Sequence, residues 1–281
     1  MRSLRDVLAA DRDNALHAQS NEGKVMACVS ADRASSHFMR SGALSHFADW
    51  RFINRARLNL LPVNGSVMWG PADRDQRCRV CGYQRETLPH LLCHCMTHSA
   101  MYQARQNAVV KRLRTAATRQ FTVAYENRFV GDTGLRPDLV VVRGEEALVI
   151  DVACPFENTP EGFSNARNDK LAKYEPVAAY LRRRYQRVTV AALIVGTLGA
   201  WDPANDRVLR RLCSRFYLRL MKKLCVSEVV AAPRSVYHTH VGHSRNKLYS
   251  TLTKPCPLLG QLITAIEPLH TGSCPAQGPW S

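Results

Sequence analysis

The spacing of apolar residues predicts a helical first segment. Between Ala43 and Leu58 the apolar positions recur at the three- and four-residue intervals of an amphipathic helix. This pattern ends at Pro62 and gives way to a stretch rich in Gly, Pro, Asn and Asp, which is typical of a loop. Residues 1–73 are therefore interpreted as a mainly helical linker region.

A different pattern begins near residue 120 and predicts an α/β unit. FTVAYENRFV alternates like a strand, and LVVVRGEEALVIDVACPF is typical of two strands around a tight turn at Gly144. A helix is predicted from Asn168 to Tyr185, followed by a buried strand over VTVAALIVGTL and a basic helix from Asp206 to Leu224. This order predicts an α/β fold with a mixed sheet in residues 120–232.

Residues 233–281 are rich in proline and show little periodicity, which predicts a poorly ordered tail. No apolar run reaches the roughly 18 to 20 residues that a membrane span needs. The N-terminus mixes Arg with Asp and lacks the apolar region of a secretory signal. Neither membrane insertion nor secretion is expected.

The clustering of cysteines predicts a metal site. In a chain without a secretion signal, four cysteines within eighteen residues favour a metal over disulfides. The spacing Cys78-x2-Cys81-x8-His90-x4-Cys95 offers three thiolates and one imidazole, which suit tetrahedral zinc. Four protein ligands leave no open position for catalytic water, so a structural zinc is expected. Residues 74–119 are interpreted as this CCHC zinc knuckle followed by a basic helix.

The choice of ligands is open at this point. Cys93, His94 and His98 are nearby substitutes, and a group of buried free cysteines is the alternative to a metal. Cys95 is preferred because it lets His90 and the fourth ligand approach from one helical face. Gly82, directly after the second cysteine, allows the tight turn that a knuckle requires.

The charge of the chain points to a polyanionic partner. The 39 Lys and Arg residues outnumber the 23 Asp and Glu residues, for a formal net charge of +16. Nucleic acid is the simplest partner for such an excess. Nine basic and two acidic residues fall in 74–119, so this segment is expected to contact phosphate. The candidate contacts lie on the helix after the cysteines: Arg105, Lys111, Arg112 and Arg114.

Two aspartates form the second candidate site. Residues equidistant from a hairpin turn face each other, and the midpoint of Asp138 and Asp151 falls at the Gly144-Glu145 turn. Paired carboxylates with open water positions suit Mg²⁺. The alternative is that one aspartate caps a strand and the other starts a turn. Glu126 is a candidate third acid, or an exposed strand residue.

A lysine would complete such a site. In the common nuclease arrangement it stands two residues after the second acid, where this chain has Ala153. The predicted helix that follows offers Lys170 and Lys173, which are neighbours on one helix surface, so either could serve. The ammonium would orient the attacking water and stabilise charge on the phosphate.

Three segments carry a family resemblance. CRVCGYQRETLPHLLCHC followed by RPDLVVVRGEEALVIDVACPFE resembles the C-terminal region of non-LTR retrotransposon polyproteins that carry a restriction-like endonuclease. The best-known clade of these elements inserts into ribosomal RNA genes. FINRARLNLLPVNG resembles the linker of the same family, and the resemblance covers residues 40–225.

The resemblance implies a fold, a chemistry and partners. It implies the restriction-endonuclease-like PD-(D/E)xK fold, with Asp138 and Asp151 holding Mg²⁺ and the lysine displaced to Lys170 or Lys173. The CCHC group would organise nucleic-acid binding. Such an enzyme nicks target DNA in the nucleus, and the 3′-hydroxyl of the nick primes reverse transcription of the element RNA.

The chain also departs from the family pattern. A basic-His-Asp/Asn element often precedes the nuclease core, but here it reads Arg105-Gln106-Asn107. No Tyr/Phe-x-Asp-Asp polymerase motif occurs, so a reverse transcriptase is expected from the parent polyprotein or a separate protein. The chain is expected to be a fragment of a longer polyprotein or a relic reading frame. The alternative function is a catalytically inactive nucleic-acid-binding module.

Overall fold

The computed structural model describes the backbone of residues 4–66 and 75–252, and the side chains of these ranges up to residue 242. The first range forms four α-helices: α1 (Leu4–His17), α2 (Glu22–Ser30), α3 (His37–Ser41) and α4 (Phe47–Arg57). The helix predicted from the apolar spacing corresponds to α4, which buries Phe52, Ile53 and Ala56. The predicted segment's residues 1–3 and 67–73 lie outside the described residues.

A mixed sheet lies at the centre of the α/β unit. Its strands, in spatial order, are β1 (Thr122–Glu126), β2 (Leu139–Arg143), β3 (Glu146–Ala153) and β4 (Arg187–Ile194). The first two neighbouring pairs are antiparallel, whereas β3 and β4 are parallel. The predicted α/β fold with a mixed sheet is therefore confirmed. A parallel pair needs a crossover connection, and here two helices supply it: α6 (Pro160–Lys173) and α7 (Glu175–Leu181).

The alternation of side chains along β3 divides the core into two layers. Leu148, Ile150 and Val152 face the larger cluster, which also includes residues of three helices: α5 (Ser99–Ala117), α8 (Asn205–Leu212) and α9 (Arg215–Val230). Ala147 and Val149 face a smaller cluster that Tyr174 and Val177 close from the α6–α7 side. By the same period of two, Asp151 lies on the α6–α7 side of the sheet.

Two predicted helices have different bounds in the structure. The helix predicted from Asn168 to Tyr185 is two helices, because α6 begins at Pro160 and ends before Tyr174. The Thr159 hydroxyl caps α6 by accepting a hydrogen bond from the Gly162 N–H at 3.1 Å. Pro176 lies in the first turn of α7, where the missing N–H of a proline is tolerated. Inside one continuous helix the same proline would remove a backbone hydrogen bond, so the helix divides before it.

The basic helix predicted from Asp206 to Leu224 is also divided. It forms α8 and α9, and Ser214 lies between them in extended conformation. The Ser214 hydroxyl accepts a hydrogen bond from the Tyr217 N–H at 3.3 Å and so begins a new helix.

The predicted poorly ordered tail is wrong for its first part. Residues Pro233–Leu252 form helix α10, while residues 253–281 lie outside the described residues. Pro233 is at the first helical position, where proline is tolerated, and the other prolines of the segment come at residue 255 and later. Val236, Tyr237 and His240 form a buried stripe at helical spacing. Over the residues that the structure describes, no helix is both long and apolar enough to cross a membrane.

Candidate functional site

The hairpin of β2 and β3 brings the two aspartates together. Leu139 pairs with Ile150, and the register runs to Arg143 opposite Glu146 around a turn in which Gly144 has a φ of +52°. Continued by one residue, this register places Asp138 opposite Asp151, as the midpoint of their positions predicts. Asp151 lies on the α6–α7 side of the sheet, and Asp138, directly before β2, is also reached by Gln106 of α5.

Asp138 is buried and held on both oxygens. It is 9% exposed, and its Oδ2 accepts a hydrogen bond from the Val152 N–H at 2.7 Å. The Gln106 amide donates to Oδ1 at 3.1 Å and to Oδ2 at 2.9 Å. Burial and then the charge of Asp151 raise the pKa of Asp138 to about 6, against the opposing effects of these hydrogen bonds and of Lys170. This pair of carboxylates therefore favours a nearby cation.

Asp151 contacts one lysine. It is 2% exposed, and its Oδ2 lies 2.6 Å from the Lys170 ammonium, which is itself partly exposed. The opposite charges at this distance form an ion pair, although the same oxygen accepts no hydrogen bond of good geometry from the described residues. Tyr174 closes the site, donating its hydroxyl to the Arg136 carbonyl at 3.1 Å. Burial and the charge of Asp151 raise the pKa of Tyr174 well above its usual range.

The two candidate lysines lie in different surroundings. Lys170 reaches the acid pair, whereas the Lys173 ammonium lies 4.9 Å from the centre of the Tyr174 ring and is exposed to solvent. The structure thus brings Asp138, Asp151 and Lys170 together and leaves Lys173 outside. Glu126, the candidate third acid, forms an ion pair with Arg114 at 3.1 Å on the exposed edge strand.

Sequence reasoning missed one residue of this site. Gln106 occupies the position where the retrotransposon pattern has a histidine, and its role could not be judged from the sequence. It projects from α5 onto Asp138. The signal available in the sequence was its place in Arg105-Gln106-Asn107, which lies on α5.

The predicted zinc ligands form one cluster. The ligand atoms of Cys78, Cys81, His90 and Cys95 all lie within 4.8 Å of one another, and the Cys81 sulfur is 3.3 Å from Nε2 of His90. Gly82 has a φ of +75°, as the tight turn requires, and its N–H donates to the Cys78 carbonyl at 2.9 Å. Three sulfurs and one imidazole fit a tetrahedral ion such as zinc.

A π-helical turn explains how His90 and Cys95 meet. Residues His90–His94 form this turn, and the Cys95 N–H donates to the His90 carbonyl at 2.7 Å. Residues five apart would diverge on an α-helix, but the wider turn brings them to one side. Burial and then the charge of Cys78 raise the pKa of the Cys95 thiol to about 12, so a cation is needed to stabilise its thiolate.

The three alternative ligands, Cys93, His94 and His98, lie outside the CCHC cluster. The Cys93 sulfur lies 3.1 Å from the Thr197 hydroxyl, on the side of the sheet, and His94 is exposed. His98 is buried and can join a different group, with Cys95 and His240. The spacing alone could not reveal His240, because it comes from α10.

The four predicted nucleic-acid contacts on α5 are not equivalent. Arg105 is 4% exposed and donates to the Leu92 carbonyl at 3.1 Å and to the Cys154 carbonyl at 3.4 Å. The prediction that it contacts phosphate is wrong, because these bonds fix it between the knuckle and the sheet. Arg112 pairs with Glu228 at 2.6 Å, and Arg114 pairs with Glu126. Lys111 is exposed to solvent.

Comparison with known proteins gives no family for this chain, so a functional assignment depends on the acid pair and the CCHC cluster. No protein-family model matches the chain, and no curated protein matches it significantly. The chemistry of the acid pair and of the knuckle must therefore carry the assignment.

Proposed function

We propose that this chain is the Mg²⁺-dependent endonuclease part of a non-LTR retrotransposon protein, with a PD-(D/E)xK fold. It would nick target DNA and leave a 3′-hydroxyl to prime reverse transcription. The observation that carries the proposal is a pair of buried carboxylates, Asp138 directly before β2 and Asp151 on the adjacent β3, with the Lys170 ammonium 2.6 Å from Asp151. A mixed sheet with an antiparallel hairpin and a helical crossover agrees with such a fold.

The residues of the acid pair have distinct roles in this proposal. Asp138 and Asp151 would hold Mg²⁺ through their oxygens, which are the ligands that this ion prefers. When bound, the ion would polarise the scissile phosphate and lower the pKa of a water. Lys170 would orient that water and stabilise the charge that develops on the phosphate. Gln106 keeps the Asp138 carboxylate in place by donating to both oxygens.

The missing lysine at Ala153 supports a displaced arrangement. An ammonium two residues after Asp151 would come from β3 itself, but here it comes from α6, which packs against β3 and β4. The positive charge beside the acid pair is therefore supplied by a lysine on a helix instead of one on the strand. This agrees with the position that the family resemblance implies for the lysine.

Helix α5 links the knuckle to the acid pair. It begins at Ser99, directly after the CCHC cluster, and Gln106 lies seven residues further, about 10 Å along the helix axis. Arg105 ties the same helix to Leu92 of the knuckle and to Cys154 beyond β3. We propose that a bound zinc keeps the knuckle folded so that nucleic acid is held next to the cleavage site.

An exposed aromatic residue and an arginine contact each other in the segment just before Asp138. Phe129 is 59% exposed, and the Arg136 guanidinium lies 5.2 Å from the centre of its ring. Arg136 is two residues from Asp138, and its carbonyl receives the Tyr174 hydroxyl. Arginine with an exposed ring suits contact with a DNA strand through phosphate and base. In this proposal the partners are target DNA, element RNA and a reverse transcriptase, and the nucleus is the location.

A second function is a nucleic-acid-binding module without catalysis. The ion pair of Lys170 with Asp151 favours it, because this contact neutralises a buried carboxylate without any metal. In that case the acid pair would be a structural remnant. The knuckle and the exposed cations would account for nucleic-acid binding.

Nicking of supercoiled plasmid in Mg²⁺ distinguishes the two functions. Wild-type protein should produce open-circular DNA, and Asp151→Asn should not. Asp132→Asn is the matched control, since Asp132 is exposed in the loop before β2. If wild-type protein binds the plasmid but does not nick it, the enzyme assignment is wrong and the binding module remains.

A further inference from the structure

A buried histidine from the far end of the chain lies against the zinc knuckle. His240 is on α10 and is 0% exposed. Its Nε2 is 3.7 Å from the Cys78 sulfur, although 162 positions separate the two residues. A polar ring at such a place needs partners, because burial of an unpaired imidazole is unfavourable.

His240 is the middle member of a chain of hydrogen bonds. Its Nε2 lies 3.0 Å from Oε2 of Glu86, and its Nδ1 lies 2.9 Å from Nε2 of His98. An ionised carboxylate only accepts, so the Nε2 of His240 carries the hydrogen and donates. In the neutral ring Nδ1 then accepts, and His98 donates to it. The same Nε2–H is directed at the Cys78 sulfur.

Glu86 is fixed and charged at the end of this chain. Its Oε1 lies 2.7 Å from the Arg79 guanidinium, and the Asn64 N–H donates to the same oxygen at 2.9 Å. The Arg79 N–H donates to Oε2 at 2.9 Å. Although burial opposes it, the hydrogen bonds from His240 and Arg79 hold the pKa of Glu86 well below its usual range. A carboxylate that accepts from a histidine is a recurrent support of metal sites.

We infer that His240 is part of the metal site, as an N–H donor to the Cys78 thiolate that Glu86 and His98 hold in position. A donor to a metal-bound sulfur disperses its negative charge and fixes its orientation. Both ring nitrogens of His240 already have protein partners, so it acts as a donor and not as a metal ligand. The site thus includes a residue that the CCHC spacing does not contain.

The same contact fastens α10 to the knuckle. Val236 and Tyr237 bury the neighbouring part of the helix, and the Tyr237 hydroxyl donates to the Pro62 carbonyl at 2.8 Å. His240 adds the polar link to Cys78 and Glu86. Metal binding should therefore stabilise α10, although no CCHC ligand lies on it.

Zinc retention in the full chain tests this inference. His240→Ala should lower zinc affinity about 10- to 100-fold in competition with a chelator. His240→Gln, which keeps a donor, should lose less. His238→Ala is the control, because His238 lies on the same helix and is exposed. Metal content should be one zinc per chain in wild type and in His238→Ala.

Several results would overturn the inference. One is equal zinc retention by His240→Ala and His238→Ala. Another is two zinc ions per wild-type chain that fall to one in His240→Ala, since His240 would then be a ligand of a second site. Wild-type protein that takes up neither Zn²⁺ nor Co²⁺ would overturn it as well.

A measurement on wild-type protein covers the case in which His240→Ala does not fold. Hydrogen exchange of the α10 amides should become faster when zinc is removed, and exchange in α9 should change much less. As a separate test, Co²⁺-loaded wild-type protein should show thiolate-to-cobalt charge transfer. This band should shift in His240→Gln, because an amide replaces the imidazole as the donor to the sulfur. Unchanged α10 exchange on metal removal would contradict the inference.

Discussion

At the acid pair, two lysines three positions apart on one helix have different surroundings. Lys170 contacts Asp151, whereas Lys173 lies over the Tyr174 ring at 4.9 Å. Helical spacing places both on neighbouring surface positions, so the sequence could not choose between them. The choice depends on how α6 is rotated against β3, which is a property of tertiary packing.

Substitution of each lysine should separate their roles. Lys170→Ala should lower the nicking rate about 100-fold or more, because the charge that we propose stabilises the phosphate is lost. Lys173→Ala should leave the rate within about twofold of wild type. Single-turnover nicking in Mg²⁺ measures both, and equal losses in the two variants would contradict the assignment of Lys170.

Glu157 is a buried acid outside both clusters. It is 0% exposed, and its Oε1 accepts from the Leu198 N–H at 2.7 Å and the Ala200 N–H at 3.1 Å. Its Oε2 has no hydrogen-bond partner among the described residues. Burial raises the pKa of Glu157 to about 7, so the folded protein favours the protonated acid.

This pKa predicts a pH-dependent stability. Because its pKa is higher in the folded protein, Glu157 contributes at most about 3 kcal/mol to the free energy of unfolding. This contribution is fully present below the unfolded pKa of 4.5 and is lost as the pH rises to about 7. Glu157→Gln removes this loss, so its melting temperature relative to wild type should be higher at pH 8 than at pH 5. Glu161→Gln, at an exposed position on α6, should show no such trend. A difference in melting temperature between Glu157→Gln and wild type that stays constant from pH 5 to pH 8 would refute the raised pKa of Glu157.

At the scale of elements, the strands were more predictable than the helix ends. The hairpin followed from apolar runs around Gly144, and its register from the positions of the two acids. The π-turn at His90–His94 was not predictable, because a hydrogen bond between residues five apart decides it. The break at Tyr174 had a signal in the sequence, Pro176, which the helix prediction did not use. Helix α10 was missed because its buried residues, Val236, Tyr237 and His240, contact residues that are distant in the sequence, such as Pro62 and Cys78.

The knuckle predicts a specific pattern of metal content. Cys81→Ser removes a sulfur that lies 3.3 Å from His90, so bound zinc should fall well below one per chain. Cys93→Ser should keep its zinc, because that sulfur lies against Thr197 on the other side. Metal analysis of freshly purified protein measures both. Loss of zinc in Cys93→Ser alone would reverse the ligand assignment.

Helix α5 predicts two different outcomes for two of its basic residues. Arg105→Ala should lower the stability by about 2 kcal/mol or more, because its buried hydrogen bonds to Leu92 and Cys154 are lost. Lys111→Ala should leave the melting temperature unchanged and reduce the salt slope of DNA affinity by about one. Thermal unfolding and binding at several salt concentrations measure the two effects. A reduced salt slope without destabilisation in Arg105→Ala would contradict its structural role.

At the scale of the whole molecule, distant segments meet at both clusters. α10 reaches Cys78 and Glu86, and α5 joins the knuckle to Asp138. The sequence indicated the α/β class, the CCHC group and the acid pair, because each depends on local spacing. It could not indicate the partners of His240 and Gln106 or the burial of Arg105, because these depend on which elements pack together.

The net charge has a more limited meaning in the folded molecule. Arg105 and Arg79 are used in internal contacts, and Arg112 and Arg114 are paired with glutamates. The cations open to a polyanion include Lys111 and the Arg136 that stands beside Phe129. Fewer cations are therefore available to bind nucleic acid than the net charge of the chain suggests.

Binding of Mn²⁺, a spectroscopic substitute for Mg²⁺, tests the central claim most directly, because it needs no knowledge of the target sequence. Electron paramagnetic resonance of the zinc-loaded full chain should show one bound Mn²⁺. Asp138→Asn and Asp151→Asn should each abolish it, while Asp132→Asn should retain it. Absence of bound Mn²⁺ in wild type, or binding that survives Asp151→Asn, would contradict the claim that these paired carboxylates form a metal site.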